Sequence, residues 1–250
     1  MERGAVLGRL TWQVAEVVEV VAETARVRSL ALRVPAWPGH RPGQHLDIRL
    51  TADDGYQAQR SYSIASAPED SRVAITVEKI EDGEVSPYLV DEVRVGDRLE
   101  IRGPIGGYFT WTANDGGPLL LVGGGSGVVP LMAMLRHRAA SAATVPTSLL
   151  YSSRTYDDVI YRAELNRIMR ADKSARVVHT LTRSQPEGWT GYRRRIDRDM
   201  LAEVAPPAAE NPLAFICGPT RLVESAAEIL TGLEYAATRI KTERFGPTGG

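Results

Sequence analysis

The stretch Arg60-Ser61-Tyr62-Ser63-Ile64-Ala65-Ser66 is the most informative segment of the chain. As an extended strand it places small side chains on one face and the ring of Tyr62 on the other. Arg60 adds a planar guanidinium whose donors suit phosphate oxygens. The ring of Tyr62 can stack on a flat ligand, and Ser63 and Ser66 can donate or accept hydrogen bonds. The stretch therefore predicts a strand that binds a ligand which is partly anionic and partly aromatic.

Length and composition indicate an ordinary globular protein. The 250 residues suit one large domain or two smaller ones, and 43% are hydrophobic and 24% charged. The net charge of −1 gives no electrostatic basis for binding nucleic acid or an anionic membrane.

Several features point to a cytoplasmic location. The start, Met1-Glu2-Arg3-Gly4, leads into no long apolar run, which predicts neither a signal peptide nor a membrane span. The single cysteine, Cys217, excludes an internal disulfide and a cysteine-ligated iron–sulfur cluster within this chain. Four scattered histidines assemble no metal site.

Short alternating segments dominate residues 1–113. Period-two patterns run over 10–20, 26–34, 45–50, 60–66, 72–80 and 99–101, with turns at 23–25 and 53–55. Six strands with little helix between them predict a first domain built as a six-stranded antiparallel Greek-key β-barrel.

One helix start interrupts these strands. In Gly83-Glu84-Val85-Ser86-Pro87, Ser86 is placed to cap a helix whose first turn holds Pro87. A helix N-terminus binds anions through its free amides, although most caps bind nothing. The later segment Gly103-Pro104-Ile105-Gly106 predicts a tight turn with a positive φ at a glycine.

The polar, glycine-rich residues 112–117 predict a domain boundary, with the second domain over 117–250. Strands and helices then alternate, which predicts an α/β domain with a parallel sheet. The apolar strand 118–122 runs into a glycine-rich turn and a helix over 128–137. Such a turn lets a pyrophosphate approach backbone amides. We therefore expect Gly124, Gly125, Ser126 and Gly127 to bind a dinucleotide.

The end of the second strand is where dinucleotide folds recognise the adenosine ribose. Here strand 148–151 is followed by Ser153 and Arg154, a pair that favours a 2′-phosphate over a free hydroxyl. Arg162 lies on the next helix and Arg183 ends the third strand. The alternative is a solvated helix cap with an ion pair. The preferred cofactor is NADPH, and His179 within the third strand is expected to pack.

A buried strand over 211–216 ends in Cys217-Gly218-Pro219. A lone cysteine is commonly a small buried hydrophobe, but the carboxyl end of a strand is the binding edge of an open α/β sheet. The last predicted strand, 240–246, carries Glu243 and Phe245. The run Arg193-Arg194-Arg195 is either a solvated edge or a docking point for an acidic partner.

In this order, the motifs resemble the ferredoxin–NADP reductase superfamily over nearly the whole chain. Arg60–Ser63 matches the family's Arg-x-Tyr-Ser flavin signature in full, and Gly83–Ser86 resembles its Gly-x-x-Ser pyrophosphate motif. Gly-Pro-x-Gly at 103–106 resembles the turn beside the flavin. Gly-Gly-Gly-Ser-Gly-Val-Val-Pro at 123–130 and Cys-Gly-Pro at 217–219 are similar to its nicotinamide-nucleotide motifs.

The resemblance implies an FAD-dependent oxidoreductase that takes hydride from NADPH onto flavin N5. It implies three catalytic residues: Ser63 near N5, Cys217 beside the nicotinamide, and Glu243 in proton relay. Phe245 would cover the flavin ring opposite Tyr62. The flavin-binding residues implied are Arg60, Ser61, Tyr62, Ser63, Thr76, Val77, Glu78, Gly83, Val85, Ser86 and Phe245. The NADPH-binding residues implied are Gly124, Gly125, Ser126, Gly127, Ser153, Arg154, Arg162, Arg183, Cys217, Gly218 and Pro219.

Three alternatives for what happens to the electrons are compatible with these motifs: two kinds of acceptor, or no catalysis at all. The first is a separate one-electron protein carrier, such as a ferredoxin or a haem or molybdenum protein. The second is a small molecule reduced by two electrons, such as a quinone, free flavin or oxygen. The third possibility is a non-catalytic flavin-binding subunit of a larger complex. We expect a monomer that passes electrons to the first kind of acceptor.

Overall fold

The computed structural model describes residues 10–245, which form two sheets joined by a single 3₁₀ turn at Ala113–Asp115. The first sheet has six antiparallel strands, and the second has five parallel strands with helices on both faces. This arrangement confirms the predicted fold class.

The first sheet follows the sequence pattern closely. Its strands are β1 (Gln13–Thr24), β2 (Val27–Arg33), β3 (His45–Thr51), β4 (Gln57–Ser63), β5 (Val73–Glu78) and β6 (Arg98–Ile105). They lie in the order β4-β3-β6-β1-β2-β5, and an antiparallel bridge between Ile64 and Ile75 joins the two outer strands. The sheet therefore closes into a barrel, whose core includes the fully buried Leu30, Ile48 and Ile101.

Two strand boundaries differ from the sequence pattern. β1 continues to Thr24 and pairs there with Val27, so the first turn holds two residues instead of the three expected at 23–25. β6 extends to Ile105, and of the predicted Gly103–Gly106 turn only Gly106 has a positive φ, 99°.

The predicted Ser86 cap is wrong. A single helical turn occupies Tyr88–Glu92 and begins after Pro87 without a side-chain cap. The hydroxyl of Ser86 instead accepts a hydrogen bond from the backbone N–H of Ile80 at 3.0 Å. Ser86 is buried, so its hydroxyl satisfies an amide of the preceding turn that would otherwise lack a partner.

The second sheet has the order β11-β10-β7-β8-β9. Its strands are β7 (Leu119–Gly124), β8 (Thr147–Ser153), β9 (Ala175–Leu181), β10 (Leu213–Pro219) and β11 (Ile240–Phe245). The predicted last strand reached Gly246, which lies outside the described residues. Because the chain adds β8 and β9 on one side of β7, and then β10 and β11 on the other, the carboxyl ends of β7 and β10 form the topological switch point.

Four helices cover this sheet within residues 10–245. They are α1 (Val128–Ala140), α2 (Arg162–Ala171), α3 (Arg198–Val204) and α4 (Thr220–Gly232). Side chains of α1 and α2 pack on the face turned toward the barrel, and those of α3 and α4 on the opposite face. Among the described residues, no helix has the length and apolar character needed to cross a bilayer.

The sequence analysis missed α3, a helix of seven residues. The side chain of Asp197 accepts a hydrogen bond from the amide of Met200 at 2.9 Å, which caps its start. Met200, Leu201 and Val204 are buried at helical spacing. An aspartate before this apolar spacing was the available signal.

Candidate functional site

Arg60 lies on the exposed surface of β4 and contacts the predicted phosphate segment directly. Its guanidinium is 2.5 Å from one carboxylate oxygen of Glu84, within Gly83–Ser86. The other oxygen of Glu84 accepts a hydrogen bond from the hydroxyl of Tyr56 at 2.5 Å. The structure therefore joins two motifs that are 24 residues apart in sequence. A carboxylate presently occupies the position on Arg60 that suits a phosphate oxygen.

Ser61 faces away from Arg60, as strand alternation requires. Its hydroxyl donates to the buried carboxylate of Asp47 at 2.7 Å. Asp47 also accepts from Gln59 at 2.9 Å and from Arg102 at 2.7 Å. The Ser61 hydroxyl thus belongs to a polar network of the barrel wall, which the sequence analysis did not anticipate.

Three other predicted flavin residues are buried in the barrel. Val77 and Val85 have no exposed surface and pack in its core, so neither presents its side chain to a ligand. Thr76 is 5% exposed, and its hydroxyl is bonded to Ser29 and Tyr161.

Tyr62 and Ser63 are half-buried at the end of β4. Burial raises the pKa of Tyr62, so its ring stays neutral and suited to stacking. Ser63 pairs with His45 of β3, a residue that the sequence analysis did not select. Burial lowers the pKa of His45, so the imidazole next to Ser63 is neutral at pH 7.

The glycine-rich turn lies against the end of β10. A Cβ added to Gly127 would be 2.1 Å from the carbonyl oxygen of Cys217, and one added to Gly124 would be 2.7 Å from a methyl of Leu222. Only glycine permits so close an approach. The turn also meets the barrel, because a Cβ on Gly125 would lie 3.9 Å from the carboxylate of Glu78.

Cys217 and Glu243 are cross-strand neighbours where β10 pairs with β11, and two residues further Pro219 pairs with Phe245. Burial, followed by the nearby charge of Glu243, raises the pKa of the Cys217 thiol. Burial also raises the pKa of Glu243 to about 7. One Glu243 oxygen, Oε2, is buried and has no hydrogen-bond partner among residues 10–245. Since such an atom normally has a partner, the edge fits a ligand that supplies one.

The carboxyl ends of β8 and β9 bring two predicted phosphate ligands together. The amide of Arg183 donates to the carbonyl of Arg154 at 2.8 Å, and both side chains are exposed. Ser153 differs, because it is buried and its hydroxyl has no hydrogen-bond partner among the described residues. Arg162 is engaged nearby: its guanidinium lies 4.6 Å from the ring centre of Tyr156 and 3.4 Å from Asp157.

An aromatic cluster borders these arginines. Trp189 contacts Tyr156 at 5.9 Å between ring centres, and His179 packs between Tyr151 and Trp189. Burial lowers the pKa of His179 to about 4, which agrees with a packing role. The sequence analysis missed Trp189, because nothing in its local pattern indicates that the loop after β9 folds back over Tyr156.

The neighbouring arginine run is largely engaged within its own loop. Arg193 donates to the carbonyl of Trp189 at 2.8 Å, and Arg194 pairs with Asp197.

The raised pKa of Glu243 predicts a specific dependence of stability on pH. Between pH 4.5, its ordinary pKa, and about 7, the folded protein binds more protons at Glu243 than the unfolded chain does. The free energy of unfolding therefore falls as pH rises through this window. Glu243→Gln removes this titration. The free energy of unfolding of the variant, relative to that of wild type, should therefore rise by on the order of 3 kcal/mol between pH 4.5 and pH 8.

Thermal unfolding midpoints of both proteins across this pH range check the prediction. Glu228→Gln, which changes an exposed glutamate of α4, serves as the control and should follow wild type. Parallel pH profiles for Glu243→Gln and wild type would show that Glu243 is not titrating near neutrality.

Two protein-family models match the chain. The oxidoreductase FAD-binding domain matches residues 13–110, and the oxidoreductase NAD-binding domain matches residues 121–228. The first match contains all six strands of the barrel, and the second runs from β7 into α4 and ends before β11.

Similar proteins agree with these domains. Ferredoxin–NADP reductase B of Sorangium cellulosum is 34% identical over 212 residues, 81% of this chain and 84% of the relative. The glycine betaine monooxygenase reductase subunit of Pseudomonas aeruginosa is 32% identical over 92% of this chain, which spans 63% of that relative's length. Among solved structures, the FAD/NAD-binding domain of nitric oxide dioxygenase from Vibrio cholerae superposes with a TM-score of 0.85. It is 24% identical, and the match covers 94% of this chain and 99% of that domain.

The motif order, the barrel followed by a parallel sheet, and the glycine turn packed against Cys217 all agree with these comparisons. The chain belongs to the ferredoxin–NADP reductase superfamily, with an oxidoreductase FAD-binding domain followed by an oxidoreductase NAD-binding domain.

Proposed function

We propose that this protein takes hydride from NADPH with a bound FAD and passes the electrons to a separate one-electron protein carrier. The observation that most supports the proposal is the convergence at one sheet edge. There the glycine turn packs on Cys217, and Glu78 of the barrel faces the turn. One oxygen of Glu243 has no hydrogen-bond partner within residues 10–245.

The residues present fit both nucleotides. On the FAD side, Arg60 and the Gly83–Ser86 segment are already in contact, and Tyr62 offers a neutral ring. On the NADPH side, Gly127 lies so close to the Cys217 carbonyl oxygen that no side chain fits there, which holds the glycine-rich turn against the end of β10. FAD contains a pyrophosphate, whereas FMN has a single phosphate. The Gly83–Ser86 segment would provide an anion site in addition to Arg60, and therefore favours FAD.

When bound, the flavin supplies the two-electron acceptance and one-electron release that the reaction needs. The chain supplies orientation and proton handling. Tyr62 stacks and Ser63 hydrogen-bonds at the flavin. Cys217 keeps the nicotinamide edge narrow and uncharged, because its thiol stays protonated. Glu243 holds a proton at about half occupancy near pH 7 and can exchange it with solvent.

Arg154 and Arg183 support NADPH as the preferred cofactor. Both guanidinium groups are exposed at the strand ends where the adenosine ribose is recognised. A 2′-phosphate can form ion pairs with both guanidinium groups, whereas a free 2′-hydroxyl carries no charge and gains less from them.

Glu84 competes with the FAD pyrophosphate for Arg60. Glu84→Gln removes the negative charge and the exposed ion pair, so FAD should bind about threefold more tightly, given the small free energy of exposed pairs. Titration of the apoprotein with FAD, followed by flavin fluorescence, measures this change. Glu100→Gln, which breaks the Arg49 pair on another part of the barrel, should leave FAD affinity unchanged. Weaker FAD binding by Glu84→Gln would instead show that Glu84 helps to hold the nucleotide.

The name of one relative supports a protein as the electron acceptor. The Pseudomonas aeruginosa relative is named as the reductase subunit of a monooxygenase, so its electrons go to another subunit. Direct two-electron reduction of a small molecule is the alternative. A cytoplasmic location stays a prediction of the amino-acid sequence.

Steady-state turnover with two acceptors separates the alternatives. With NADPH as donor, the rate of reduction of an acidic ferredoxin should fall steeply between about 50 and about 500 mM salt, because salt screens the attraction between exposed charges. Reduction of a neutral quinone should be slow and insensitive to salt. Fast quinone reduction without ferredoxin reduction would contradict the carrier proposal.

A further inference from the structure

A chain of hydroxyl groups crosses the boundary between the two domains. Tyr161, immediately before α2, donates a hydrogen bond to the hydroxyl of Thr76 on β5. Thr76 lies 2.8 Å from the hydroxyl of Ser29, which in turn donates to Glu23 at 2.7 Å. Since Ser29 gives its proton to Glu23, Thr76 donates to Ser29, and every donor in the chain is used.

Tyr161 is held in this position from several sides. It is 2% exposed, and its backbone has a φ of 58°, a left-handed conformation that a bulky residue rarely adopts. The guanidinium of Arg136 lies 4.9 Å from the centre of its ring. Arg136 also donates to the carbonyl of Ala65, in the barrel, at 2.7 Å. We call Tyr161, Thr76, Arg136 and Ala65 the interdomain latch.

The latch holds the strand that meets the glycine-rich turn. Thr76 and Glu78 point to the same side of β5, because they are two residues apart. The latch contact therefore lies about 6.7 Å along the strand from the place where Glu78 faces Gly125. At the other end, Ala65 follows directly on the Arg60–Ile64 segment. Two of the three barrel segments assigned to the flavin are thus fixed to the second domain.

We propose that Tyr161 is a positioning residue, whose hydrogen bond to Thr76 sets the gap across which the nicotinamide faces the flavin. The proposal rests on the function proposed above. Hydride transfer needs reacting atoms at about 3–3.5 Å, so a small change in this gap changes the rate. Binding of each nucleotide to its own domain does not require the latch.

Anaerobic stopped-flow reduction by NADPH tests the role of Tyr161. Tyr161→Phe should keep its FAD and its affinity for NADPH, while the limiting rate of flavin reduction falls about tenfold. The long-wavelength charge-transfer absorbance between nicotinamide and flavin should weaken, because it reports stacking of the rings. Thr76→Val removes this bond and also the bond to Ser29, so it should slow flavin reduction at least as much as Tyr161→Phe. The double variant should be no slower than Thr76→Val, because the bond between Tyr161 and Thr76 is then already lost.

Tyr235→Phe is the matched control. Its hydroxyl donates to the carbonyl of Pro206 within the second domain, so this variant should keep the wild-type rate. A wild-type rate and absorbance for Tyr161→Phe would overturn the proposal, as would an equal loss in Tyr235→Phe. Failure of the proposed function is distinct, since wild-type protein with FAD would then not be reduced by NADPH.

Discussion

Replacing Arg154 with alanine is expected to weaken NADP⁺ binding about 100-fold and to leave NAD⁺ binding unchanged, because a charge-assisted bond to phosphate is lost. The Arg154 side chain is exposed where the ribose is recognised, and its carbonyl binds the amide of Arg183 at 2.8 Å. That backbone contact holds the ends of β8 and β9 together, so the two arginine side chains extend from neighbouring positions. Arg183→Ala should reduce NADP⁺ affinity in the same direction.

Calorimetric titration with both nucleotides measures the change. Arg176→Ala is the matched control, since Arg176 lies near the opposite end of β9 and contacts Glu203. It removes the same charge from the strand next to β8, which Arg154 follows, and should alter neither affinity. An equal loss of NADP⁺ and NAD⁺ affinity in Arg154→Ala would show that Arg154 acts on a part common to both nucleotides, and would remove the support for NADPH.

Replacing Gly127 with alanine should slow flavin reduction by NADPH at least about 100-fold, because a shift of roughly 1 Å in the nicotinamide site is enough for such a loss. The added Cβ would lie 2.1 Å from the Cys217 carbonyl oxygen, and a backbone atom cannot rotate away. The turn and the end of β10 must therefore separate. FAD should remain bound, because its proposed contacts, apart from Phe245, are in the barrel.

Single-turnover reduction and FAD absorbance measure these two effects separately. Gly232→Ala is the control: it adds the same methyl to the second domain, near only the flexible end of Arg198 at 3.2 Å. This variant should reduce its flavin at the wild-type rate. Wild-type reduction by Gly127→Ala would mean that the contact between the turn and Cys217 does not shape the nicotinamide site.

The parts of the fold that the sequence predicted correctly depend on local periodicity. Alternation along His45–Leu50 and Arg72–Ile80 predicted strands, and the apolar run before Gly123 predicted a buried parallel strand. These patterns are decided by which face of a strand is buried, so neighbouring residues contain the information. The glycine turn was equally local, because its function depends on consecutive residues.

The errors and omissions concern contacts between distant residues. Ser86 was assigned to a helix cap, but the amide of Ile80 is its partner, which follows from how the loop folds back. Tyr161 and Thr76 are 85 residues apart and meet only after both domains have packed. The Ser61 hydroxyl binds Asp47 for the same reason. A polar side chain can have several equally suitable hydrogen-bond partners, and the three-dimensional fold determines which of them it meets. A single sequence does not specify that choice.

An anaerobic absorbance titration of the protein with NADPH and, in parallel, with NADH tests the central claim most directly. We predict a yellow protein whose flavin absorbance is bleached by one equivalent of NADPH and far more slowly by NADH. This result would support the bound flavin, the hydride transfer and the Arg154 and Arg183 site together. A colourless protein that neither binds added FAD nor oxidises NADPH would contradict the account.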